Sequence, residues 1–169
     1  MKSTVKLYQL DLNTTKTYLF ALLFIVGNLL LPQLLHIVPG AGLRWLPIYF
    51  FTLIGAYKYG WRVGLLTALL SPLLNSWLFG MPPVSALPSI ELKSILLAVA
   101  AGFAAARFGK VSIPLLLAVV LTYQVMGGAG EWLIKGSIGA ALQDFRMGTP
   151  GMALQIIGGY LIIRYILQK

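Results

Sequence analysis

Long apolar runs, broken by clusters of glycine, proline and charge, organise this chain from end to end. Cutting at those clusters leaves six apolar segments, at about 17–36, 46–60, 62–79, 88–107, 112–134 and 149–166. Each is too long for a strand, and each predicts a helix. The breaks carry turn chemistry: Val38-Pro39-Gly40-Ala41-Gly42 follows the first segment, and Gly80-Met81-Pro82-Pro83 ends the third. Apolar residues run nearly all round these helices, so periodicity cannot orient them. The rare polar and small positions have to.

Composition turns six helices into six membrane spans. Of 169 residues 59% are hydrophobic and 10% charged, with a mean hydropathy of +0.86. A soluble domain carries about 25% charged residues, so this chain cannot cover a wetted surface. Six spans of roughly 20 residues use about 120 and leave only short loops. The expected organisation is a polar cytoplasmic segment over 1–16 and a single six-helix membrane domain over 17–169. The run Tyr18 to Leu31 ends in Pro32 and has no small-x-small cleavage pattern, so it reads as a retained first span.

The chain has no cysteine and one histidine, His36, against 13 Lys and Arg and 4 Asp and Glu, for a net charge of +9. Disulfides and thiolate metal sites are excluded, zinc chemistry through histidine pairs loses its ligands, and no cofactor is expected. The positive surplus follows topology. With the N-terminus inside, Lys2, Lys6, Lys16, Lys58, Arg62, Arg107, Lys110, Arg164 and Lys169 face the cytoplasm with Asp11, leaving +8. Arg44, Lys93, Lys135 and Arg146 face out with Glu91, Glu131 and Asp144, leaving +1. That is the positive-inside pattern, N-in and C-in, and it needs no nucleic acid.

In that orientation the intramembrane polar residues gather in the outer half. Asn28, Gln33 and His36 lie on the first helix, Tyr49 on the second, and Asn75 and Trp77 on the third. Glu91 and Lys93 open the fourth, Gln124 and Glu131 lie on the fifth, and Gln155 on the sixth. Polar groups in lipid face a bundle interior or a wet cavity. Their convergence predicts an outward-facing pocket. Asn28, Trp45, Tyr49, Asn75, Trp77, Glu91, Lys93, Gln124, Glu131 and Gln155 are its candidate binding residues. Aromatic walls are expected from Trp45, Tyr49, Phe50, Phe51, Trp77, Phe79, Tyr123 and Trp132. Asn28 and Gln124 equally suit interhelical hydrogen bonds, Glu131 and Lys135 an i, i+4 pair, and the tryptophans an interfacial belt. Glu91 and Lys93, two apart, point to different sides, and Glu91 is the one favoured to face inward. Gly127 and Gly128 leave room for a ligand or a close helix. The alanine-rich fourth helix offers small-xxx-small faces for packing or for docking another subunit.

Leu46-Pro47-Ile48-Tyr49-Phe50, Gly55-Ala56-Tyr57-Lys58-Tyr59-Gly60, Val63-Gly64-Leu65-Leu66-Thr67 and Phe79-Gly80-Met81-Pro82-Pro83, in that order, resemble the substrate-binding S component of energy-coupling factor (ECF) transporters. The resemblance runs over most of the chain. It implies a subunit without enzymatic activity that captures a vitamin or related micronutrient on the outer side. Release inward would follow tilting against a membrane T component and two cytoplasmic ATPases, in a prokaryotic cytoplasmic membrane. Family members often carry an Ala-xxx-Ala pair on helix one, where the T component docks. Here the pattern is Thr17-xxx-Ala21, so docking through Thr17 and Ala21, with Ala101 and Ala105 on the small-residue helix, is the expectation. A stand-alone secondary transporter or channel, or a membrane enzyme, is the alternative. The residues do not choose among a pyrimidine, a pterin, a pantothenate-like compound and a larger vitamin.

Overall fold

A computed structural model describes residues 5–35 and 37–167. Lys2, His36 and Lys169, to which the sequence assigned places in the topology, lie outside the described residues. All regular structure among the described residues is helical. The first long helix, α1, spans Thr15–Leu35. A one-turn α2 (Ala41–Trp45) and a 3-10 turn at Pro47–Tyr49 lead into α3 (Phe50–Tyr59). Then come α4 (Trp61–Phe79), α5 (Leu87–Phe108) and α6 (Ile113–Lys135). Short helices α7 (Ile138–Ala141) and α8 (Gln143–Met147) fill what the sequence suggested was a loop. The chain ends in one rod, α9 (Thr149–Ala153) and α10 (Gly159–Leu161), joined and extended by wide π-helical turns at Leu154–Gly158 and Ile162–Ile166.

Among the described residues four helical segments are long and apolar enough to cross a membrane: Thr15–Leu35, Trp61–Phe79, Val84–Phe108 and Ile113–Lys135. The other two expected spans are helical but different in kind. The π turns interrupt the terminal rod. At 1.5 Å per residue α3 is only about 15 Å long, and all of its residues but Phe51 are buried. It packs against α1, α4 and α5, while α5 packs between α4 and α6. A helix enclosed in this way must be apolar on every side, which is why periodicity could not orient it.

Close approach rests on missing side chains. A Cβ on Gly64 would overlap Ala56 of α3, and one on Gly102 would overlap the backbone of Trp61. The end of α3 leaves carbonyls without intrahelical partners. The extended N-terminal strap supplies them: Tyr8 N–H donates to Lys58 C=O (2.9 Å) and Leu10 N–H to Tyr59 C=O (3.0 Å). Lys58, fully buried, donates back to the Lys6 carbonyl. Outside the core the surface is apolar: Leu19, Leu22, Leu23, Leu30 and Leu34 of α1 all project outward. Patches of this extent suit lipid and not water.

Candidate functional site

At the end of the bundle away from the strap, the helix ends and their connections surround a cavity of about 410 Å³. Pro32 and Gln33 come from the end of α1, Leu46 to Tyr49 from the entry to α3, and Asn75 from late α4. Ser89, Ile90 and Lys93 come from early α5, Glu131 and Lys135 from late α6, and Gln143 and Asp144 from α8. The volume lies in the lower part of the roughly 300–1,000 Å³ typical of ligand sites. Leu46 on this wall holds φ of +46°, a left-handed backbone unusual for a branched residue and fixed by its burial and its N–H bond to Gly42.

An ion network forms one side. Lys93 is 3% exposed, and its Nζ donates to Glu131 Oε2 at 2.5 Å and Asp144 Oδ2 at 2.8 Å. Lys135 Nζ donates to the other Glu131 oxygen, Oε1, at 2.6 Å. Two cations and two carboxylates compensate one another. Without both acids a buried ammonium would lose solvation with nothing in return. Gly127 makes the arrangement possible, because a Cβ there would collide with the Lys93 stem. So the room predicted at Gly127 is taken by Lys93, while Gly128 lies against the Ala141 carbonyl.

Below the cavity a second network ties helices together. Asn28, buried, donates from Nδ2 to Thr52 Oγ1 (3.0 Å) and Ser71 Oγ (3.3 Å), and its Oδ1 accepts from Phe51 N–H (3.1 Å). Asn75 Nδ2 donates to the Asn28 carbonyl at 2.9 Å. Tyr123 donates to Gln155 Oε1 (2.9 Å) and accepts from Gln124 Nε2 (3.1 Å), and its ring tilts against Tyr49 at 5.5 Å.

The candidate residues therefore separate. Tyr49, Asn75, Lys93 and Glu131 line the cavity. Asn28, Gln124 and Gln155 are buried in the interhelical networks and are not part of its wall. Glu91 is also outside the wall, with both carboxylate oxygens buried and unpartnered. Both members of that pair turn inward, Glu91 with its carboxylate buried outside the wall and Lys93 onto the cavity. Trp45 is exposed, and Trp77, 80% exposed, faces away from the protein. The aromatic wall is corrected accordingly. Among the described residues the cavity wall carries one aromatic, Tyr49, and is otherwise built from proline and aliphatic side chains with the polar cluster. Phe50 and Tyr123 are core, and Phe79 and Trp132 point outward.

Thr17, Ala21, Ala101 and Ala105, expected at a docking surface, are all buried within this chain's own bundle. Thr17 is held by the Asp11 carbonyl. Small side chains at these positions serve helix packing, which leaves them little surface for a partner.

Three polar wall residues, Asp144, Ser89 and Gln143, are not among the candidates the sequence offers. Asp144 was assigned to an outer loop, and Ser89 drew no attention. The signal for Asp144 lay in arithmetic: a lysine inside an apolar helix needs carboxylates, and the chain has only four acids. No group of three or more His, Cys, Asp or Glu side chains suited to a metal ion occurs among the described residues. Comparison with protein-family models, with curated proteins and with solved structures finds no match.

Proposed function

We propose that this chain is the membrane-embedded capture subunit of an ECF-type importer, binding a vitamin or related micronutrient and passing it inward with a T component and two ATPases. The observation that carries the reading is the cavity. It lies at one end of an apolar helical bundle and is walled by residues of α1, α2, α4, α5, α6, α8 and the 3-10 turn before α3, around a charge-compensated Lys93. Polar groups that are costly in lipid are justified where they meet a ligand.

The charge asymmetry gives the orientation. The strap end carries the positive excess and belongs in the cytoplasm, so the cavity opens outward in a prokaryotic cytoplasmic membrane. In this reading all six helical segments belong to the membrane domain. The buried α3 lies among α1, α4 and α5, and the interrupted terminal rod packs on α3 and α6. ATP hydrolysis is assigned to the partner ATPases; among the described residues the wall carboxylates, Glu131 and Asp144, are held by Lys93 and Lys135.

Purification in mild detergent, extraction and mass spectrometry of co-purifying small molecules test capture. Uptake assays in cells with and without the ATPase partners test coupling. A stoichiometric micronutrient and ATPase-dependent uptake are expected. An empty extract, together with uptake that persists without the ATPases, would move the chain to a stand-alone carrier.

A further inference from the structure

Two polar side chains of the cavity wall each keep one atom without a partner among the described residues. Asn75 and Ser89 are 1% and 2% exposed. Both line the cavity, and Asn75 Oδ1 and Ser89 Oγ are without partners. The Asn75 amide cannot turn round to cure this. Its Nδ2 donates to the backbone carbonyls of Asn28 (2.9 Å) and Ser71 (3.2 Å), and a carbonyl takes only donors. The oxygen is thereby fixed as a buried acceptor awaiting an N–H or O–H. Buried polar atoms are almost always paired, so an orphan on a cavity wall points to what fills the cavity.

The charges narrow the choice. Lys93 is shared by Glu131 and Asp144, and Lys135 holds the second Glu131 oxygen. An anionic guest would compete with two carboxylates for Lys93. A cationic guest would compete with two lysines for the same carboxylates. A neutral guest disturbs neither.

Building on the reading of this cavity as a capture site, we propose that it takes a small neutral molecule with an amide-type N–H beside a carbonyl, such as a primary amide, lactam or cyclic imide. Its N–H donates to Asn75 Oδ1, and its carbonyl accepts from the Ser89 hydroxyl. Its apolar body lies against Pro32, Pro47, Ile48, Pro82 and Ile90.

The test uses the full chain in detergent and isothermal titration with matched probes. Benzamide and phthalimide are neutral N–H donors, and N,N-dimethylbenzamide and N-methylphthalimide lack the donor. Benzoate is the anionic counterpart and benzamidine the cationic one. Saturable binding of benzamide or phthalimide is expected. N-methylation should weaken it about tenfold or more, roughly 1.4 kcal/mol, and the charged probes should bind more weakly than benzamide. Ser89→Ala should also weaken the neutral probes several-fold without lowering the melting temperature of the empty protein.

Equal binding of parent and methylated probes would remove the Asn75 contact and overturn the proposal. Tighter binding of benzoate or benzamidine would overturn the neutral class while leaving capture intact. Failure of every probe would also overturn the class, and the mass-spectrometric extract then decides separately whether capture stands.

Discussion

The two ends of the bundle treat buried polar groups in opposite ways. At the strap end the buried side-chain groups among the described residues are paired. Lys58 donates to Lys6 C=O, Tyr57 Oη to Lys110 C=O, and Thr17 Oγ1 to Asp11 C=O. Toward the cavity end the orphans accumulate: Asn75 Oδ1, Ser89 Oγ, both Glu91 oxygens, Ser94 Oγ, Gln124 Oε1 and Gln155 Nε2. Folding alone favours the first pattern, because an unmade buried hydrogen bond costs about 1–3 kcal/mol. A bundle that closes one end with its own backbone and leaves buried atoms unsatisfied toward the other has two chemically different ends, and under the proposed capture function the second is the receptive end. Apolar content does not separate them; hydrogen-bond completeness does.

The largest effect is expected at Lys93. Lys93→Met leaves the Glu131 and Asp144 carboxylates facing each other in a buried site without the shared cation. Breaking such a network from one side costs about 3–5 kcal/mol. Thermal unfolding in detergent should show a large drop, substantially recovered when Glu131→Gln and Asp144→Asn are added. If the single variant melts like the parent, the network contributes nothing and the receptive end needs another definition.

Asn28→Leu comes next. It removes two side-chain donations and one acceptance, stranding Thr52, Ser71 and the Phe51 N–H beneath the cavity. A loss of about 2–3 kcal/mol is expected, with ligand affinity falling only as far as Asn75 shifts. Affinity abolished at unchanged stability would make Asn28 a ligand contact after all.

The sharpest comparison is a pair of single-atom deletions. Tyr57→Phe removes a hydroxyl bonded at 2.8 Å and should cost about 1 kcal/mol. Ser94→Ala removes a buried hydroxyl that has no partner and should leave unfolding unchanged or slightly delayed. Equal losses from both would erase the distinction between the two ends.

The six helical segments were legible because glycine and proline punctuate apolar runs, and that signal is local. The general position of the cavity was legible too, since polar residues are scarce in lipid and their depth follows from helix boundaries. What escaped depended on contacts remote in sequence. Asp144 meets Lys93 only because α7 and α8 fold the 136–148 segment back over the cavity, and no spacing rule spans 51 positions. The same limit misassigned the aromatics. In a chain hydrophobic on all sides, a tryptophan facing lipid and one facing a ligand have the same neighbours in sequence.

That ambiguity sets the smallest expected effect. Trp77 shares its helix with Asn75, two positions away, so the two side chains diverge, and Trp77 stands 80% exposed outside the cavity wall. Trp77→Ala should change unfolding in detergent by no more than about 0.5 kcal/mol and leave ligand binding untouched. Tyr49→Ala, by contrast, opens the cavity wall against Tyr123 and should weaken binding clearly. Titrating the co-purified molecule into both variants compares an outward aromatic with an inward one at the same end of the bundle. A loss of affinity in Trp77→Ala equal to that in Tyr49→Ala would mean that the ligand reaches beyond the described cavity to the outer face of α4, and the receptive end would be larger than its orphaned atoms indicate.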